Sequence, residues 1–306
     1  SVNVWNGTAP DATKVTLGPW NLQGDDYIMY AFKNVENFSS FGTYTGNGSA
    51  NGPIVETGFE PAFLMVKNTT SSGQDWRILD NKRNTSNPRN CYLSANNSNA
   101  EECQYDQFDF LSNGFKVITT DGSLNQNTSN FIYMAFAADP DTEAPTLASS
   151  FNIETYTGNS TNDFGTSLTQ SITGVGFKPD LVWIKGRTGY GHGWFDSVRG
   201  ATNQIQSQTT SAQNSSDGYL KSFDSDGFGL GGDFAYNRNS YTYVAWSWKA
   251  DDNEPTIFGG SALAVYKFED NANDVRGNYN GTTSNITYST GKFNKAAVFV
   301  ESNSSE

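Results

Sequence analysis

Apolar and polar residues alternate along most of the chain with a period of two rather than 3.6. That is the pattern of strands that bury one face. Two runs depart from it by being apolar at every position, Phe63–Val66 and Leu181–Ile184. Such a run predicts a central strand of a sandwich, covered on both sides. Phe131-Ile132-Tyr133-Met134-Ala135-Phe136 and Tyr241–Trp248 predict closing strands. Asn113-Gly114 and Asp226-Gly227 predict tight hairpins in which the glycine supplies a positive φ, with Phe115 or Phe228 opening the next strand. Gly227–Gly232 opens no helix that could hold an anion, and is predicted to be a bulged or bent strand. No stretch has convincing helical periodicity.

These elements recur. Gly58-Phe59-Glu60-Pro61-Ala62-Phe63-Leu64-Met65-Val66-Lys67 returns as Gly176-Phe177-Lys178-Pro179-Asp180-Leu181-Val182-Trp183-Ile184-Lys185. Tyr133-Met134-Ala135-Phe136 returns as Tyr243-Val244-Ala245-Trp246, and Thr43-Tyr44-Thr45-Gly46-Asn47 as Thr155-Tyr156-Thr157-Gly158-Asn159. Residues 41–138 and 151–249 therefore read as two β-sandwich repeats. Residues 1–37 read as the end of a preceding one, with Asp26–Lys33 as its closing strand. A period of this size is that of a domain, and tandem domains build length and repeated contacts rather than one active site. The predicted fold class is all-β: tandem antiparallel, jelly-roll-like β-sandwich repeats joined by short acidic linkers that contain Pro.

The linkers are 139–150 and 250–260. Pro and acidic residues predict an extended, semi-rigid, solvated joint. The same carboxylates, Asp139, Asp141, Glu143, Asp251, Asp252 and Glu254, are the candidate ligands for Ca²⁺, the one cofactor this chain suggests.

Composition narrows the functional classes. A net charge of −13 excludes the basic footprint that nucleic acid requires. No apolar run is long enough to span a membrane as a helix, and there is no signal peptide pattern. Cys91 and Cys103 fall in one repeat and have no counterparts in the other; their spacing allows a disulfide without establishing one.

Little of the chain suggests catalysis. His192 is the sole histidine, it sits in the glycine-rich stretch 189–194, and the other repeat has none there. A stacked or exposed loop histidine is expected, not a triad or a metal centre. Glu101-Glu102, Asp106 and Asp109 lack the spacing of a glycosidase pair and read as surface carboxylates. The best ligand-binding candidates are loop aromatics with polar neighbours: Tyr190, His192, Trp194 and Asp196 in one repeat, Asp75 and Trp76 in the other. Aromatic faces stack on sugar CH groups while polar side chains bond hydroxyls. The competing reading puts the tryptophans in the core, pairs Asp196 with Arg199, and makes Lys67, Lys185 and Arg187 fixings of strand ends.

The run Gly-Phe-x-Pro-Asp-Leu-Val-Trp-Ile-Lys-x-Arg at 176–187 resembles a domain of marine bacteriophage virion proteins, including tail fibres. So do Trp194–Gly200, Ser225-Asp226-Gly227-Phe228 and the Tyr243–Lys249 close; residues 41–138 fit more loosely. Residues 261–303, with Tyr266-Lys267-Phe268-Glu269-Asp270-Asn271-Ala272-Asn273-Asp274 and Gly291-Lys292-Phe293, resemble the opening of a laminin-G-like, concanavalin A-like jelly roll, incomplete at 261–306. The resemblance implies a non-enzymatic segment of a virion fibre or similar extracellular appendage, with other virion proteins and host-surface glycan as partners. It also implies a homo-oligomer, expected to be a trimer. A secreted lectin, a capsid decoration protein and a polysaccharide-degrading enzyme are the alternatives.

Overall fold

The computed structural model describes residues 26–137, 150–162 and 169–250, with 8–9, 15–18, 167, 286–290 and 295–299 as short further pieces. The first repeat contains β1 (Ser39–Thr45), β2 (Ile54–Glu56), β3 (Pro61–Asn68), β4 (Arg77–Asp80), β5 (Phe108–Leu111), β6 (Gly114–Val117), the single-turn α1 (Gly122–Asn125) and β7 (Asn130–Ala137). The second contains β8 (Phe151–Thr157), β9 (Gln170–Thr173), β10 (Leu181–Gly186), β11 (His192–Asp196), β12 (Asn203–Gln204), β13 (Asn214–Ser215), β14 (Leu220–Asp224), β15 (Gly227–Leu230), the single-turn α2 (Phe234–Asn237) and β16 (Thr242–Trp248). Each repeat pairs its strands in the same order. A four-stranded antiparallel sheet, β1-β7-β3-β4 or β8-β16-β10-β11, is accompanied by a three-stranded one, β2-β6-β5 or β9-β15-β14. The protein is all-β and built of sandwiches, as the alternation predicts.

Alternation then explains three cores. Leu64, Val66, Leu79, Phe108, Phe115 and Tyr133 point between the two sheets of the first repeat. Val182, Ile184, Phe195, Phe228, Leu230 and Tyr243 do the same in the second. The residues of opposite parity form the third core, and it is shared. Phe63, Ile78 and Phe136 of the first repeat pack with Phe151, Trp183, Trp246 and Trp248 of the second. Ring centroids of Phe63 and Trp246 lie 5.7 Å apart, and those of Phe136 and Phe151 5.0 Å apart. The all-apolar runs are thus central strands with a sandwich core on one side and the neighbouring repeat on the other. The repeats adjoin directly instead of standing apart on spacers; residues 138–149 of the joint lie outside the described residues.

Register corrects one part of the repeat reading. Tyr44 is opposite Phe131 in β1–β7, and Tyr156 is opposite Tyr243 in β8–β16. Phe131, not Tyr133, therefore matches Tyr243, so Met134 matches Trp246 and Phe136 matches Trp248. A slip of two keeps every side chain on its own face, so the hydrophobic pattern alone does not detect it.

The recurring Gly-Asn pairs have a specific cause. Buried Asn125 at the end of α1 accepts from the Asn47 backbone N–H at 2.8 Å, and Asn237 of α2 accepts from that of Asn159 at 2.9 Å. A Cβ at Gly46 would lie 2.3 Å from the Gln126 carbonyl oxygen, and one at Gly158 2.3 Å from that of Arg238. Gly114 and Gly227 begin β6 and β15, one position after the two-residue turns. Their φ values are +154° and +144°, and a Cβ would meet the Val55 or Ile172 carbonyl oxygen at 2.0 Å. Close approach of the third strand demands glycine as much as the hairpin does.

Residues 26–34 form no strand, contrary to the closing-strand expectation. Tyr30 and Phe32 pack against the shared core instead, and the Phe32 ring meets Phe41, Phe136 and Trp248. Met29–Asp251 form one compact unit. Ser1–Ile28 and Asp252–Glu306 form another, in which β17 (Ile286–Thr290) pairs antiparallel with β18 (Lys295–Phe299).

Candidate functional site

The candidate residues fall on the border between the repeats and at one end of the second. Asp80 ends β4 and Asp196 ends β11, and each is followed three residues later by an arginine. Asp80 Oδ1 accepts from the Arg83 backbone at 2.8 Å, and Oδ2 takes the guanidinium Nε at 2.6 Å. Asp196 does the same with Arg199, at 2.9 and 2.5 Å. The guanidinium then reaches back to a strand carbonyl, Ile78 O from Arg83 and Trp194 O from Arg199. The Asp-x-x-Arg spacing thus closes the turn after the edge strand of each four-stranded sheet. Each aspartate also accepts from an aromatic outside its own repeat. The Trp246 indole N–H donates to Asp80 Oδ2 at 3.1 Å, and the Tyr30 hydroxyl to Asp196 Oδ2 at 2.7 Å. Met134, the counterpart of Trp246, carries no donor for Asp196, and Tyr30 serves that aspartate. Burial and the Asp196 bond raise the Tyr30 pKa.

A second group surrounds these pairs. The Cys91–Cys103 disulfide closes a loop that only the first repeat has. Leu93 and Ala95 of that loop enter the shared core. Asn97 O accepts from Lys185 Nζ at 2.7 Å, and Ala95 O from Ser207 Oγ at 2.6 Å. Glu101 lies between two guanidinium groups, Arg83 at 2.6 Å and Arg187 at 2.7 Å. Its side chain is 9% exposed, which corrects the surface-carboxylate expectation. Lys185 is wholly buried, and burial with the nearby Arg83 charge pushes its pKa down to about 8.

His192 is buried on β11, not exposed in a loop. Its Nδ1 accepts from the Trp183 indole at 2.9 Å, and its ring stacks on that indole. Burial and the Lys185 charge hold its pKa near 3, so it is neutral at pH 7. Trp194 packs on Trp183 and Tyr30 at ring distances of 4.6 and 5.1 Å. Trp76 packs against the shared core, and Asp75 accepts from Asn96 and Asn97 of the disulfide loop at 2.7 and 3.0 Å. Trp76 and Trp194 thus pack on the shared core, His192 and Asp196 are buried, and Asp75 is bonded to the disulfide loop of its own repeat. Tyr190 stands apart from these five, beside Tyr241 and Arg238 at the end of the second repeat.

For metals, Cys91, Glu101 and Cys103 form the one close group of possible ligands found among the described residues. The two sulfurs are bonded to each other and the carboxylate is held by arginines, so the donor set suits no cation. Asp139, Asp141, Glu143, Asp251, Asp252 and Glu254 lie outside the described residues. The glycine run at 227–232 does lead into α2 after all, but the Asp233 carboxylate caps that turn, accepting from Ala235 N at 2.8 Å. Asp121 caps α1 in the same way. No helix of the described residues is long and apolar enough to cross a membrane.

Sequence reading missed Tyr30, Glu101 and Arg238. The repeated Asp-x-x-Arg spacing was a visible sign of the paired turns, whereas nothing in the sequence signalled which aromatic would reach them. No curated protein and no solved structure matches the chain. A family model described as a domain of unknown function, DUF7483, matches residues 1–140 and again residues 147–306, and the chain belongs to that family.

Proposed function

We propose that the chain is a non-enzymatic structural and adhesive segment of a virion fibre or similar extracellular appendage, in which the two repeats act as one rigid block. The observation that carries this reading is the shared aromatic core. The recurring residues are spent on architecture: the central strands on three cores, and the Asp-x-x-Arg turns on bonds to an aromatic outside their own repeat, Trp246 of the second repeat for Asp80 and Tyr30 of the N-terminal segment for Asp196. A block whose halves are fixed to each other transmits orientation along a fibre, which separately tumbling domains do not. The disulfide favours an oxidising compartment. The resemblance of 176–187 and 243–249 to phage virion proteins gives the appendage its kind, and assembly into a homo-oligomer follows from that kind. Immunogold labelling of intact particles with antibody to this chain tests the reading. Label along a fibre is expected. Label absent from particles, together with release of reducing ends from envelope polysaccharide by the purified chain, would favour an enzyme instead.

A further inference from the structure

Arg238 is surrounded by aromatic rings at the end of the second repeat. Its guanidinium carbon lies 4.6 Å from the Tyr241 ring centre, 5.2 Å from that of Phe234 and 5.7 Å from that of Tyr190. All four residues are half-buried, so one side of the group faces solvent. The backbone beneath them is firmly held. Arg238 caps the C-terminus of α2, and the Tyr243 hydroxyl accepts from Arg238 N and donates to Phe234 O, both at 2.9 Å. The Tyr190 and Tyr241 rings meet edge to face at 5.4 Å, and an Arg238 N–H donates to the Tyr190 hydroxyl.

The ion pairing of Arg238 sets it apart from the other arginines of the described residues. Arg77, Arg83, Arg89, Arg187 and Arg199 each pair with a carboxylate, and Arg238 pairs with none among the described residues. A guanidinium left without an anion in a chain of net charge −13 is a selective feature. The first repeat lacks the whole arrangement. Gly122, Gln126 and Ser129 stand at the positions of Phe234, Arg238 and Tyr241, as the matching helices and the matching bonds from Gly46 and Gly158 fix them. The group is therefore not needed to build a repeat.

We propose that Tyr190, Phe234, Arg238 and Tyr241 bind a sugar unit bearing a carboxylate, within a surface polysaccharide. The tyrosine rings offer faces and edges to the sugar CH groups. The remaining guanidinium N–H groups match a carboxylate in a two-bond geometry. The tyrosine hydroxyls serve the ring hydroxyls. This deepens the attachment half of the function proposed above, and rests on it for the source of the polysaccharide.

The test uses the whole chain, titrated by calorimetry with an oligosaccharide of glucuronic acid and, in parallel, one of glucose. Arg238→Gln and Tyr241→Ser install the residues of the first repeat, which its own fold accepts at these positions. Binding of the acidic oligosaccharide, weakened about ten- to a hundredfold by Arg238→Gln, is expected from loss of a charged hydrogen bond. Unfolding midpoints of the variants, measured in parallel, confirm that the fold is retained. Three results would each overturn the proposal: no binding by the native chain, equal binding of the two oligosaccharides, or undiminished binding by folded Arg238→Gln. Each leaves the labelling experiment on particles unaffected, so the site and the structural role fail separately.

Discussion

Asp80 shows what one repeated residue is worth. It is fully buried between Arg83 and the Trp246 indole. Asp80→Asn removes one anion from a buried network and leaves Arg83 to Glu101 alone, so a loss of about 3 kcal/mol is expected. The exposed pair Lys221–Asp217 offers a contrast, because replacing Asp217 by Asn should cost under about 1 kcal/mol. Urea midpoints of the two variants measure the difference. His192 makes a prediction in pH. Its folded pKa is held near 3 against an ordinary 6.5, so the unfolded chain binds a proton over that window and the folded chain does not. Stability contributed by neutral His192 is fully present above about 6.5 and drains away as the pH falls toward 3. His192→Phe should flatten the decline of the unfolding temperature between pH 6.5 and 3.5. An equally steep decline in the variant would assign the acid sensitivity to other groups.

Among the elements, the disulfide loop sets the two repeats apart. It carries Leu93, Ala95, Asn97 and Glu101, and each of them reaches the second repeat or the shared core. Its counterpart in the second repeat holds the short β12–β13 pair instead. Closing a loop of this length limits the unfolded chain by about 3 kcal/mol in the loop-entropy account. Replacing Cys91 and Cys103 by Ser should therefore lower the unfolding temperature. It should also raise hydrogen exchange at residues 92–102 and, through the Glu101–Arg187 contact, at 187–191. Exchange that rises in the loop alone would show that the loop does not hold the second repeat. The sequence displayed the two cysteines but not their pairing, since a spacing carries no distance. Nor did it display the seat of residues 26–34. Their alternation matches a strand, yet Tyr30 and Phe32 are drawn to Asp196 and the Trp248 ring, and no ladder forms.

At the scale of the molecule, the class and the hairpins were legible because alternation and turn glycines are local signals. The runs Phe63–Val66 and Leu181–Ile184 even announced cover on both faces. What they could not announce was the identity of that cover. A second face of the same chain satisfies the pattern as well as a helix or another subunit would, and the acidic stretch between the repeats suggested separation. The candidate sugar site was legible in part for the same reason. Loop tryptophans look alike whether they meet a ligand or another repeat, and here Trp76 and Trp194 meet the shared core while Tyr190 stays outside it. The central claim is that the repeats form one cooperative block through that core. Hydrogen exchange of Phe63→Ala tests it most directly, since Phe63 lies in the first repeat and touches Phe151, Trp246 and Trp248 of the second. A loss of about 3–5 kcal/mol is expected. The account predicts that amides of β10 and β16 lose protection in step with those of β3 and β7. Loss confined to the first repeat, with β10 and β16 as protected as before, would contradict it.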